Sequence, residues 1–218
     1  MRSTIFLIVA TLLSACSTTS PQVGMQQDVD QATAIIQRFH EIPEKEIPPS
    51  VLKAARGVAI LTVTKAGFIG SGRGGTGVVV SRLDKGWSGP SSIGTGGVGF
   101  GFQAGVDVTE FVMILNTPAA VEAFSKQANV TLGGNLTVSA GPIGRSAEAA
   151  VGLQSAIYSY SRSQGFFAGV SLEGTAISVK DDYNQAYYGK PVMAQEILSG
   201  KVQPPAGARN LLQVLSKY

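Results

Sequence analysis

Residues that usually carry chemistry are scarce in this sequence. There is one cysteine, one histidine and one tryptophan in 218 residues. A single thiol has no partner for an internal disulfide. The single histidine, His40, sits beside Glu41 and shortly before Pro43, where a helix should end. It has neither the converging ligands of a metal centre nor the surroundings of a triad histidine held by an acid. No nucleophile, base and oxyanion donors assemble elsewhere, so neither enzymatic activity nor a cofactor is expected. Charge is also thin, at 14% charged residues and a net +3. Nucleic-acid binding wants a strongly basic domain, so that class is set aside. No apolar run approaches the roughly 20 residues that cross a bilayer as a helix.

What is abundant is glycine, 27 residues, within a chain that is 44% hydrophobic. That hydrophobic share argues for a folded core rather than disorder. Two stretches, Gly70 to Gly75 and Gly94 to Gly99, fit the spacing GxGxxG. A dinucleotide site needs a helix directly after the glycines, so that its first amides face a pyrophosphate. Here Thr76-Gly77-Val78-Val79-Val80 and Phe100-Gly101-Phe102 follow, and both are strand patterns. Asn129 and Asn135 each open a glycosylation pattern, and Asp181-Asp182 read as a turn without metal partners.

The N-terminus has the organisation of a secretory signal. Arg2 precedes an apolar run from Ile5 to Leu13, and small residues follow. Leu13-Ser14-Ala15-Cys16 resembles the lipobox of bacterial lipoproteins, in which the cysteine is acylated and becomes the first residue. The resemblance implies a signal peptide over residues 1–15 and a lipid attachment at Cys16. Ser17 after the cysteine implies the periplasmic side of the outer membrane. Stable anchoring takes more than one acyl chain, each buried methylene contributing about 0.8 kcal/mol.

Residues 16–27, polar and interrupted by Pro21 and Gly24, read as a flexible tether, and residues 28–218 as one domain. Asp28 is placed to cap a helix with an apolar stripe of Val29, Ala32, Ile36 and Phe39. A short helix is expected from Pro49 to Arg56, with Gly57 past its end. Strand patterns then run over Val58–Val63, Gly67–Arg73, Thr76–Leu83, Ile93–Gln103 and Val108–Leu115. A helix begins at Asn116-Thr117-Pro118 and ends near Asn129. Alternation resumes over Leu132–Ala140, at Tyr158 and Tyr160, and over Phe166–Leu172. A short helix from Pro191 to Gly200 and a last one carrying Leu211 and Leu215 complete the chain. The predicted class is α+β: a curved, antiparallel, glycine-rich sheet or partial barrel flanked by N- and C-terminal helices. Glycines inside strands mark the bulges and close approaches that curvature requires.

Charge is uneven along the chain. From Ile47 to Val106 the bases are Lys53, Arg56, Lys65, Arg73, Arg82 and Lys85, against Asp84 alone. Asymmetry of this kind marks either an anionic partner or a solvated face balanced from elsewhere in the fold.

The run GVAILTVTKAGFIGSGRGGTGVVV (Gly57 to Val80) resembles the opening of the SYLF domain, a lipid-binding module. The likeness continues through GVGFGFQAG (Gly97 to Gly105), NVTLGGNLTVSAGPIGR (Asn129 to Arg145), GFFAGVSLEG (Gly165 to Gly174) and Tyr187-Tyr188-Gly189. It implies membrane association. Eukaryotic relatives of this family are described as binding phosphoinositides through basic residues and an amphipathic N-terminal segment, and some as binding actin filaments. A bacterial envelope offers neither, so the implied ligands are its own anionic lipids: phosphatidylglycerol, cardiolipin or lipopolysaccharide. Lys53, Arg56, Lys65 and Arg73 are the expected head-group contacts, with Arg82 and Lys85 behind them. Arg73, set among glycines, is expected to share a phosphate with neighbouring backbone amides. An envelope protein partner is the alternative reading of the same asymmetry.

Overall fold

The structure, a computed structural model, describes residues 19–41, 47–67, 70–100, 105–126, 130–132, 136–142, 155–165 and 176–218. Cys16, the segment read as a signal sequence, the asparagines of both glycosylation patterns and the Phe166–Leu172 alternation lie outside the described residues.

The fold is α+β, as expected. Among the described residues eight strands form one curled sheet: β1 (Gly57–Gly67), β2 (Gly70–Ser81), β3 (Ser91–Phe100), β4 (Gly105–Leu115), β5 (Val130–Thr131), β6 (Val138–Ala140), β7 (Ile157–Gly165) and β8 (Ala176–Val179). Their order is β5-β8-β3-β2-β1-β4-β7-β6. Neighbours are antiparallel except β6, which runs parallel to β7 at one edge. Six helices accompany the described strands: α1 (Pro21–Glu41), α2 (Pro49–Ala54), α3 (Pro118–Ser125), α4 (Asp181–Tyr188), α5 (Ala194–Leu198) and α6 (Arg209–Leu215). None is long and apolar enough to cross a membrane.

The sheet is covered on both faces, which explains why its strands read as near-continuous apolar runs. Even-numbered residues Val58, Ile60, Val78, Val80, Val112 and Ile114 pack with Val29, Ile36, Leu52 and Leu211 from α1, α2 and α6. Odd-numbered residues Ala59, Leu61, Val79, Phe111, Met113 and Leu115 pack with Ala120 and Phe124 of α3 and Leu198 of α5. Each fully buried side chain of this kind contributes about 1.5–3 kcal/mol.

Three expectations are corrected. The first helix begins at Pro21, so much of the stretch read as tether is helical. Ser20 caps it, its Oγ accepting the Val23 N–H at 3.5 Å, and Pro21 takes the first helical position. Met25, fully buried, extends the apolar stripe one turn back from Val29. Secondly, Gly67–Arg73 and Thr76–Leu83 are not two strands: Gly67 closes β1, and Gly70–Ser81 runs as one continuous strand, β2, paired with β1 from Gly57↔Ser81 to Gly67↔Ser71. Gly75 and Gly77 do not interrupt it. A Cβ at Gly77 would lie 2.1 Å from the Ile60 carbonyl oxygen, so the curl brings the two backbones too close for any side chain. Thirdly, Leu132–Ala140 is not one strand; β6 covers only Val138–Ala140.

Two polar buckles fasten α1 across the sheet where the apolar half gives way to glycine. Asp28 Oδ1 accepts the Thr76 hydroxyl at 2.7 Å. Burial pushes the Asp28 pKa up, against the opposing pull of that bond and of Lys180. Arg38 clasps the buried Glu110 of β4 through Nε, at 3.3 Å, and Nη2, and Gln31 Nε2 adds a third donor at 3.4 Å.

Candidate functional site

The six cations singled out in the sequence fall into two separate groups. Lys65 and Arg73 are cross-strand partners in the outer half of β1 and β2. Lys53 lies on α2, Arg56 at the entry to β1, Arg82 just past β2 and Lys85 in the following turn, all at the opposite, basal end. Arg82 follows Arg73 by nine steps along and just past β2, roughly 30 Å at ~3.3 Å per residue. No single head group spans both.

The outer group does not form the nest expected around Arg73. Gly70 to Gly75 pair with β1 on one side and β3 on the other, so the backbone amides of this central strand serve the ladders. The same pairing shows both GxGxxG stretches to be strand interiors. Arg73 lies flat on β3, where a Cβ at Gly97 would sit 2.9 Å from its Nε. Lys65 stands opposite both Arg73 and the buried Asp107. Asp107 accepts hydrogen bonds from Thr109 Oγ1, at 2.7 Å, and from Ser163 Oγ.

The basal group is built differently. Backbone bonds fix both arginines: the Arg56 N–H donates to the Leu115 carbonyl and the Arg82 N–H to the Arg56 carbonyl, each at 2.8 Å. The Arg82 side chain is committed to the fold. Its Nε donates to Ala55 O at 2.9 Å and its Nη2 to Leu52 O at 2.8 Å, satisfying carbonyls at the end of α2. Its guanidinium also stacks 4.1 Å from the ring of Trp87, the single tryptophan. Burial, and then the adjacent Arg56 charge, lower the Arg82 pKa from its ordinary value. The exposed Arg56 side chain meets no hydrogen-bond or ion-pair partner among the described residues.

Between these arginines and the helices on the odd-numbered face opens a cleft of about 450 Å³. Arg56, Ser81 and Arg82 form one side, Pro118, Val121, Glu122 and Ser125 of α3 a second, and Gln195, Leu198 and Ser199 of α5 and its cap a third. Two glycines set the walls. A Cβ at Gly57 would press on Val121 Cγ2 at 3.0 Å and on Val80 O at 2.9 Å, so glycine lets α3 close on β1. Gly200 ends α5 with φ +75°, a left-handed conformation that favours glycine, and faces Leu83. Of the acids nearby, Glu122 is bound to Lys126 at 2.9 Å, and Glu196 Oε2 accepts the Met193 N–H at 2.9 Å. Neither neutralises the arginine pair. Ser125, Gln195 and Ser199 gave no sign in the sequence, because α3 and α5 lie far apart along the chain and come into contact only in the folded domain. Among the described residues no three His, Cys, Asp or Glu side chains converge as metal ligands would.

Comparison with known proteins gives a consistent picture. A family described as "Las17-binding protein actin regulator" (Ysc84) matches residues 96–218. The human "SH3 domain-containing YSC84-like protein 1" is 45% identical over 203 residues, which cover 89% of this chain and 59% of the relative. "LAS seventeen-binding protein 3" of Saccharomyces cerevisiae is 51% identical over 177 residues, 79% of this chain and 39% of the relative. "Protein YSC84" of the same yeast is 52% identical over 177 residues. The chain therefore spans less than two thirds of the length of these relatives.

Proposed function

The chain belongs to the SYLF (Ysc84) domain family, and from that premise we propose that it is a non-catalytic, lipid-anchored envelope protein that binds anionic phospholipid head groups. Acyl chains on Cys16 hold it to the periplasmic side of the outer membrane, and the basal end of the sheet meets the anionic lipid. The observation that carries this reading is the pairing of Arg56 and Arg82, whose backbones are bonded to one another and whose neighbours include the exposed Lys53 and Lys85, with Asp84 as the nearby acid in sequence. Each base near an anionic surface contributes about 1 kcal/mol. Four such contacts are enough for a domain already held there by its anchor. In the outer half, Arg73 packs on the sheet and is a poorer candidate.

The test is native mass spectrometry of the full chain extracted from cell membranes in a neutral detergent. The expected result is a doubly or triply acylated Cys16 together with retained phosphatidylglycerol or cardiolipin in preference to phosphatidylethanolamine. An unmodified Cys16, or equal retention of neutral and anionic lipid, overturns it. A second reading draws on the matching family and one of the yeast relatives, both named for binding Las17: this domain docks an envelope protein instead. Crosslinking in cells that traps one protein at the basal end, with no lipid preference on extraction, favours that reading.

A further inference from the structure

We infer that the cleft between Arg56, α3 and α5 is a discrete binding site for one phosphate ester carrying an apolar substituent. The inference rests on the anion-binding reading of the basal end and adds to it a saturable, one-to-one pocket rather than a charged surface. Three features of the cleft select that ligand class. Arg56 offers an unpartnered guanidinium beside a second, immobilised one, and a pair of like charges this close calls for an anion between them. A guanidinium matches two oxygens of a phosphate at once. Val121 and Leu198 give the cleft an apolar side, where a bare inorganic ion or a polar glycerol gains little but an acyl root does. The volume, about 450 Å³, lies within the range of small-molecule sites.

The geometry also supplies its own reporter. Trp87 is the only tryptophan, buried, and stacked on Arg82, whose charge lines the cleft. An anion drawn to the arginine pair changes the field at that ring and therefore its fluorescence.

The experiment titrates the full chain in a neutral maltoside detergent with dihexanoyl phosphatidylglycerol, glycerol 3-phosphate and inorganic phosphate, following Trp87 emission. The short-chain lipid is expected to saturate at one equivalent. Tighter binding of the lipid than of glycerol 3-phosphate by tenfold or more identifies a lipid head group as the ligand. Equal binding of the two shows that the apolar side contributes nothing and overturns the assignment of an apolar substituent. Arg56→Gln removes the free charge without touching a partner, and Ser125→Phe fills the cleft without touching either arginine. Each is expected to weaken binding at least tenfold while leaving the thermal midpoint unchanged, and Arg73→Gln is expected to bind as the parent does. Parent-like titration of Arg56→Gln or Ser125→Phe overturns the cleft. If those variants also still retain anionic lipid on extraction, the broader lipid-binding reading survives that failure. Loss of anionic preference in the unaltered protein sinks the broader reading itself.

Discussion

The same strands are built on opposite terms at their two ends. In the basal half, β1, β2 and β4 alternate large apolar residues between two covered faces, and Val58, Val79 and Val112 have no exposed surface. In the outer half β2 and its neighbour β3 carry Gly72, Gly74 and Gly96, at each of which an added Cβ would meet nothing within 4 Å. Val106 there is 58% exposed. Hydrophobic burial therefore holds one end, and backbone ladders with a few polar contacts hold the other. The boundary is marked by α1 and its two buckles, Asp28 to Thr76 and Arg38 to Glu110. Glycine serves different ends on either side. At Gly75 and Gly77 it permits close approach of backbones, while at Gly72 and Gly74 it leaves a bare face.

One substitution made on both sides of the boundary tests this most severely. Gly77→Ala forces a methyl against the Ile60 carbonyl in the packed half and should cost about 3 kcal/mol, the upper part of the range for overpacking. Gly72→Ala, on the same strand but in open space, should instead stabilise by ~0.5 kcal/mol through reduced freedom of the unfolded chain. Urea denaturation of both variants decides; equal effects would erase the distinction between the halves.

The buckles come next. Glu110→Gln strips the countercharge from Arg38, whose side chain keeps 31% exposure, so solvent offsets part of the loss. A cost of about 1–2 kcal/mol is expected, below that of breaking a fully buried pair. Amide exchange is expected to accelerate over α1 more than over β4; uniform acceleration would show that the clasp supports the whole sheet rather than the helix.

The smallest effect is expected at Asp28. Its folded-state pKa lies above the ordinary 3.8, so the folded chain holds this proton more firmly than the unfolded one. Its contribution to stability thus falls as pH rises from 3.8 through the raised value, and is least favourable above it. Asp28→Asn retains an acceptor for Thr76 and should flatten that part of the pH profile, with stability at neutral pH equal to or above the parent. A variant less stable at neutral pH would mean the charge helps the buckle.

Much of this architecture was legible in the sequence where a single period governs. The apolar runs Val58–Val63 and Val108–Leu115 named the central strands, and Thr117-Pro118 named the start of α3, where Thr117 Oγ1 accepts the Ala120 N–H. Reading failed where one residue type has two physical uses. Gly24 looked like a mark of flexibility, yet it lies inside α1, where a Cβ would approach Tyr183 to 2.9 Å and hold the helices apart. Asp181-Asp182 looked like a turn, yet they occupy the first turn of α4, closed by Gly189 at φ +66°. The cations were legible as a set, but their division between two ends was not, because it depends on strand register. The parallel pairing of β6 with β7 left no local trace either.

The early start of α1 has a consequence for how the domain would explore a membrane. From Cys16 to Ser20 is a handful of peptide units, whose contour is at most about 15 Å even at full extension. A chain acylated at that cysteine is held on a short leash rather than a long one. So anchored, the globular part would stay close to one surface, and its encounters with lipid would take place at an effective concentration set by that surface.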